Sequence, residues 1–388
     1  MNNAKKRNNQ RKKHRKSISF YFFVFSLCFV LFVSYLVVVM FHPVGLVEYV
    51  KSEIASLGYG KGYNIQLNDG KPIYSISNDN KYLIVSPSSV NGYNRNGKIL
   101  FEKKHSLSEP VVKLSETRYL LYGQGERTLS VNTFSKSLYT LNFQSGIITA
   151  SVSDSGAFAV ATKADGYSSD VSVFNKNNEK IYEWLSPDET VNSLALSSNG
   201  NSLAISTIKV VNGKFVSNFY VFRFDSANAV FKRTYEDDVI YQIYPTANTT
   251  FCIVLEDNIE FINYKKESVL SNKTEYSVSV IKQCDNKIVA VRTIAANQEE
   301  SVIEIYNLSG KLKNSFKVEC NVIDFSYNAN KIYLLDSQQI TKYNSSGKTV
   351  ASAKAEYDTL FIEYISSNSV ACIQNSSIDK TDLNQTEE

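Results

Sequence analysis

The chain has 388 residues with 42 Lys/Arg, 38 Asp/Glu and 3 His, a net charge of +4, and it carries 25 Tyr and 22 Phe against one Trp and 6 Pro. That composition suits a β-rich body with many polar turns, and 5 Cys without a C-x-x-C pair exclude both a disulfide-stapled small fold and a zinc ribbon. Eight of the 42 bases fall in residues 1–16, so the other 34 face all 38 acids, and a body with that balance is not the positive surface a nucleic acid needs.

The basic tail, residues 1–17, runs into "ISFYFFVFSLCFVLFVSYLVVVMF", residues 18–41, a run of 24 residues without a charge. A helix of that length is about 36 Å long, more than the roughly 30 Å hydrocarbon core of a bilayer. A cleaved signal peptide would have a shorter apolar region ending in small residues; this run ends in Met40-Phe41-His42-Pro43. It reads as an uncleaved, single-pass signal anchor in contact with membrane lipid. The bases ahead of it put the N-terminus in the cytoplasm and the C-terminal domain outside the plasma membrane.

Residues 43–60 follow as a juxtamembrane segment. Val47, Val50, Ile54 and Leu57 fall on one helical stripe, and Gly58 ends it. A short helix is expected there, its stripe docked on the body or dipped into the lipid surface.

From residue 61 to 383 one clause recurs: an alternating apolar run, a polar turn, then a more apolar run. It begins at Ile73, Val111, Ile147, Val191, Val239, Tyr276, Asn321 and Leu360. A second phrase stands in the later half of several units: "YNRNGK" from Tyr93, "YNLSGK" from Tyr306, "YNSSGK" from Tyr343 and the looser "FNKNNEK" from Phe174. Asn and Gly tolerate the positive φ of tight hairpins. Four strands at a period near 40 residues indicate an all-β fold, a β-propeller of eight four-stranded blades with seven as the runner-up. The lone strand at Gly62–Asn68 is expected to complete the blade begun at Leu360, leaving no open edge. The unit begun at Leu360 shows two convincing strands and then a polar tail, "NSSIDKTDLNQTEE" from Asn375, of which residues 384–388 fall beyond the propeller.

Reaction chemistry is sparse. His14 and His42 lie in the tail and at the membrane edge, and His105 sits in a loop, so no triad suggests itself. H-E-x-x-H, a phosphate-binding G-x-x-x-x-G-K-[ST] loop and calcium loops are missing; "NDG" at Asn68–Gly70 and "ADG" at Ala164–Gly166 read as ordinary turns. The single Trp184 does not fit propellers that stack a quinone on a tryptophan in each blade. No cofactor or metal is expected. Cys252, Cys284, Cys320 and Cys372 read as small hydrophobes on strands.

Sorting charges by propeller face gives a pattern. Connectors between blades carry acids, among them Glu109, Asp188, Glu189, Glu236, Asp237 and Asp238. Outer hairpin turns carry lysines, among them Lys98, Lys180, Lys311 and Lys348. Single-sign fields of this kind attract counter-charged partners. The anchor should emerge on the lysine side, so a lysine rim would face anionic lipid or wall polymer and an acidic face would point outward. That outward face carries long loops from Ala161, Thr207 and Arg292, and Tyr167 and Phe215 in the first two are candidate contacts for a protein or glycan partner.

With its basic tail, single span and "YN..GK" hairpins, the chain resembles an uncharacterised domain-of-unknown-function family of membrane-anchored propellers from low-GC Gram-positive bacteria. The resemblance implies the same layout and brings no active residues with it. The expected role is binding or scaffolding at the cell envelope without catalysis. The alternative is an extracellular carbohydrate-active or other hydrolytic propeller using paired carboxylates.

Overall fold

The computed structural model describes residues 20–36, 46–78, 80–284, 286–294 and 297–385. Two helices precede the sheets: α1, whose described part is 20–36, and α2, Leu46–Ser56. No helix among the described residues is long and apolar enough to cross a membrane. The ends of the span expected at 18–41 lie outside the described residues, as does all of the basic tail.

Eight antiparallel sheets follow, each a meander from an inner to an outer strand. Blade 1 runs from Tyr74–Asn78 to Ile99–Lys104 and blade 2 from Pro110–Leu114 to Ser137–Asn142. Blade 3 runs from Ile147–Val152 to Lys180–Ser186 and blade 4 from Thr190–Leu196 to Phe231–Glu236. Blade 5 runs from Gln242–Ala247 to Ser268–Lys273 and blade 6 from Ser277–Cys284 to Leu312–Val318. Blade 7 runs from Asp324–Asn328 to Thr349–Lys354, and blade 8 begins with Thr359–Ser366. Each of the eight expected starts falls in an inner strand or within three residues before one, so the count is eight rather than seven. In blade 1 the two middle strands are buried throughout, while the outer strand Ile99–Lys104 shows Ile99, Glu102 and Lys104 to solvent. The core is a ring of clusters between neighbouring blades, such as Leu203, Ile205 and Phe222 of blade 4 against Ala159, Val171 and Val173 of blade 3.

The ring closes by strand exchange, as the lone early strand suggested. Ile65–Gln66 pairs with Ser377–Asp382 in blade 8, Ile65 opposite Ile378. The paired stretch is only two residues, but Asn64 N donates to Ile378 O at 3.1 Å and Leu67 N to Ser376 O at 2.7 Å. Leu67 then packs against Tyr82, Tyr93, Ile373 and Ile378, across the joint between blades 8 and 1. Nearer the axis, Ser75 of blade 1 donates to Glu363 of blade 8 at 2.8 Å. The stretch read as a polar tail adds two things. Its Ser377–Asp382 is the third strand of blade 8, and Asn384–Gln385 pairs with the outer strand of blade 7 as a fifth strand; residues 386–388 lie outside the described residues.

The three expected long loops are extended strand pairs instead. Ser202–Val211 and Lys214–Arg223 pair in register to their tips, and only Asn212 (φ 52°) and Gly213 (φ 78°) turn the chain. Both positive φ values are what a two-residue I′ turn requires. In blade 3 only Asp165 and Gly166 separate the middle strands. In blade 6 the strands Lys287–Ile294 and Asn297–Asn307 extend in the same way, and the two residues at their tip lie outside the described residues.

The repeated phrase is one hydrogen-bond device. Asn94 Oδ1 accepts from the N–H groups of Asn96 and Lys98, both at 2.9 Å. Asn307 does the same with Ser309 and Lys311 at 3.1 and 2.9 Å, and Asn344 with Ser346 and Lys348 at 3.0 Å each. In the looser copy Asn175 accepts from Asn177 and Glu179, and Asn178 (φ 67°) takes the place that Gly97, Gly310 and Gly347 hold elsewhere. The asparagine thus replaces the backbone as acceptor inside each turn.

Candidate binding faces

Connectivity gives the propeller two unlike faces. The hairpin face carries the turns between first and second and between third and fourth strands. The connector face carries the links between blades and the turns between second and third strands.

On the hairpin face lies α2, across blades 1 and 2. Arg118, which opens the second strand of blade 2, grips Glu48 with two bonds, Nε to Oε1 at 2.6 Å and Nη2 to Oε2 at 2.8 Å. Its Nη1 reaches the carbonyls of Gly156 and Lys176 in blade 3, at 3.1 and 3.0 Å. Burial alone would lower the Arg118 pKa, but the Glu48 carboxylate more than reverses this and holds it above its usual value. Lys81, at the same strand position in blade 1, bonds Ser52 Oγ and Glu53 Oε1, both at 2.8 Å. At the other end of the helix Lys98 Nζ donates to Ala55 O at 2.9 Å and Leu57 O at 2.8 Å, and Asn94 Nδ2 to Ser56 O at 2.7 Å. The last carbonyls of a helix lack internal partners and favour a nearby cation. The first copy of the turn phrase therefore caps α2. The linker beyond it presses on the same turn: a Cβ at Gly60 would lie 2.5 Å from Lys98 Cα.

The proposed lysine rim is accordingly not uniform. Lys98 is half-buried and spent on α2. Lys180 pairs with Glu183 on its own strand. Lys311 and Lys348 have exposed side chains on the hairpin face. Sequence reasoning missed Lys81 and Arg118, although the repeat carried a signal: a basic residue opens the second strand in four blades, at Lys81, Arg118, Lys287 and Lys331.

On the connector face the structure gathers Asp188, Glu189, Phe215, Asp237 and Asp238 at one end of blade 4. Phe215 stands at the tip of the long hairpin, 52% exposed, directly opposite Val210 at 63%, with Val211 at 42% beside them. Asp188 and Asp237 are exposed nearby, and both are partnered. Lys209 reaches Asp188 at 3.4 Å and Glu189 at 3.0 Å, and Lys214 reaches Asp237 at 3.0 Å. Asp238 is half-buried, and burial raises its pKa above the usual carboxylate value.

Glu189 is not a contact residue, because it is buried. Asn218 Nδ2 donates to it at 2.8 Å, Tyr220 Oη at 3.1 Å, and the Thr207 hydroxyl also donates to it. Burial pushes its carboxyl up, yet these donors and Lys209 outweigh it and hold the group below its ordinary value. It anchors the base of the hairpin. Glu109 and Tyr167 (45% exposed) share this face but belong to the blade 1–2 connector and the blade 3 turn. The acidic face is thus partly neutralised by lysines that the hairpin itself supplies.

The axis holds a second polar feature. Asp324 and Glu363 stand on neighbouring inner strands, each 4% exposed. Asp324 takes Lys282 Nζ at 2.6 Å and Ile362 N at 3.0 Å, and Glu363 takes the Ser75 hydroxyl. Burial raises the Glu363 pKa despite the nearby Lys282. These groups link blades 6, 7, 8 and 1 in sequence. A surface cleft of 510 Å³ lies instead along the outer groove of blades 2 and 3, lined by Asn142, Lys163, Asp165, Asp170 and Lys180 among others.

Among the described residues no group of three His, Cys, Asp or Glu is placed to hold a metal. No disulfide joins the described cysteines. Burial raises the thiol pKa to about 11 at Cys320 and Cys372, far from a reactive thiolate. His105 is half-buried, and burial lowers its pKa.

The fold and faces define a closed eight-bladed β-propeller with a helix capping one face and an apolar-tipped hairpin on the other. The chain belongs to a family of unknown function, DUF5711, which matches residues 57–383. That match begins just after α2. No curated protein matches the chain. It is similar to BamB from Moraxella catarrhalis, at 8% identity and a TM-score of 0.49 over 80% of this chain and 99% of that one. It is also similar to the Myceliophteria thermophila Cps50 (Swd1) β-propeller domain, at 9% and 0.47 over 82% and 98%. A chain from the crystal structure of a mitotic checkpoint complex gives 14% and 0.48 over 70% and 90%.

Proposed function

We propose that this protein is a membrane-tethered binding module that holds a protein partner on its connector face, outside the cell. The observation that carries the reading is the blade 4 hairpin, where Val210, Val211 and Phe215 stand exposed on a strand pair held in register to its tip. Apolar side chains fixed on a rigid support and rimmed by charge mark a protein contact rather than a solvated turn. Asp188, Asp237, Lys209 and Lys214 supply that rim. Two valines beside one phenylalanine, with the rim charges already paired, favour a protein over a glycan, which would ask for stacked aromatics and free polar groups.

The tether is the charge-free run 18–41 behind its basic tail. Because α2 sits on the hairpin face, such a tether leaves the connector face directed away from the bilayer. The acids at the axis are already engaged in bonds between blades, so this reading assigns the chain no reaction.

A photoreactive phenylalanine analogue at Phe215, in whole cells, tests the partner. A discrete cross-linked protein is expected from position 215, reduced at least tenfold by Val210→Ser with Val211→Ser, and not seen from the same analogue at Lys311. Equal products from both positions would show that the hairpin is not the contact.

A further inference from the structure

A surface helix ordinarily turns its apolar stripe toward the body it packs on. In α2 the arrangement is reversed. The side facing the propeller is polar: Ser52 is 5% exposed and Ser56 9%, and Glu48 and Glu53 are engaged by Arg118 and Lys81. The stripe read from the sequence points away. Val50 is 39% exposed, Ile54 60%, Leu57 65%, and Tyr59 just beyond the helix 88%; the Val47 side chain lies outside the described residues. Two clamped ion pairs and a capped C-terminus fix this orientation, so the exposed stripe is not a helix that has simply failed to dock.

We infer that α2 lies in the membrane interface, its Val50–Ile54–Leu57 stripe and Tyr59 sunk at the boundary of headgroups and acyl chains, and that this seat holds the hairpin face of the propeller against the bilayer. The inference rests on the tether proposed above. Its occupant follows from chain length. Leu46 begins α2 five residues after Phe41, where the charge-free run ends. Five residues span at most about 18 Å, so a helix tethered that closely to a bilayer exit is held at its surface. The chemistry agrees: an amphipathic helix lying in the interface presents aliphatic residues to the acyl chains and lysine at its flank, and tyrosine favours the headgroup level. Lys51 and Lys61 are exposed beside the stripe. Lipid contact thus moves from the lysine rim of the blades, where Lys98 is already spent, to the helix that Lys98 caps.

The test uses the full chain reconstituted in phosphatidylcholine–phosphatidylglycerol vesicles containing a lipid with a diazirine on its acyl chain. After irradiation, adducts are expected both in residues 20–36 and in the tryptic peptide Ser52–Lys61. Val50→Ser, Ile54→Ser and Leu57→Ser together should cut adducts in that peptide at least tenfold and leave those in 20–36 unchanged. Adducts in 20–36 with none in Ser52–Lys61, or an unchanged yield in the triple variant, would overturn the inference and spare the tether. Chain-to-chain products through α2 in place of lipid adducts would overturn it in favour of a second copy as the occupant. No adducts in 20–36 would remove the tether itself, and the inference with it.

Discussion

Arg292→Ala should destabilise the propeller by about 3–5 kcal/mol, the cost of leaving a buried charge without its partner. Arg292 is 0% exposed in the second strand of blade 6. Its Nε pairs with Glu304 on the next strand. Its Nη1 donates to Asp257 O at 3.0 Å and Tyr276 O at 3.3 Å, and Nη2 to Asn272 O at 2.8 Å. Three of the four acceptors therefore lie in blade 5 or the link between the blades. Truncation strands Glu304, itself 5% exposed, with Tyr306 Oη at 2.6 Å its one remaining donor among the described residues. It also orphans three carbonyls. Replacing both partners, as Arg292→Met with Glu304→Met, removes the uncompensated charge and should recover at least half of the loss. Urea unfolding of the three proteins decides it. A loss under about 1 kcal/mol for Arg292→Ala, or a double variant worse than the single, would show that Arg292 does not hold blades 5 and 6 together.

The second large effect is local. Glu48→Gln should release α2 from the hairpin face while the blades stay closed. A bidentate arginine–carboxylate pair is among the stronger polar contacts, and here the Arg118 side chain is 6% exposed and that of Glu48 24%. Losing the charge of one partner should cost about 2–3 kcal/mol, which corresponds to roughly 30- to 150-fold faster amide exchange in a segment that opens on its own. The increase should be confined to Leu46–Ser56. Glu48→Gln is chosen because Arg118 keeps its bonds to Gly156 and Lys176, so blades 2 and 3 lose nothing. Unchanged exchange in α2, or acceleration spread through the blades, would contradict a helix docked by its polar side.

Much of the architecture was legible because it repeats. Each inner strand opens a period-2 apolar run, and each outer hairpin needs Asn and a residue with positive φ, so blade number and turn positions could be read before any contact was known. The closing strand was legible for a related reason: a lone extended segment at one end and an incomplete blade at the other solve each other. What escaped were elements whose burial is one-sided. Ser377–Asp382 reads as a tail because only Ser377 and Ile378 are buried while the residues after them alternate to solvent. The extended blade 4 hairpin reads as a loop because its tip carries no core side of its own.

The faces were harder. Charge type could be assigned by turn class, but pairing could not. Lys209 lies 21 residues from Asp188, and Arg118 lies 70 from Glu48. Glu189 looks like any connector acid until the strands bring Thr207, Asn218 and Tyr220 around it. The direction of α2 was hidden most completely. Periodicity finds an apolar stripe, and only the partners of the opposite side reveal that the stripe faces out.

The proposed arrangement displays the propeller beyond the membrane and keeps the N-terminal tail inside. Labelling intact cells with a membrane-impermeant amine reagent tests this directly. Lys214, on the blade 4 hairpin, and Lys311, on an outer turn, have exposed side chains. Both should be modified in intact cells, whereas the lysines of residues 5–16 should react only after permeabilisation. Modification of residues 5–16 in intact cells, with Lys214 and Lys311 protected until the membrane is opened, would contradict it.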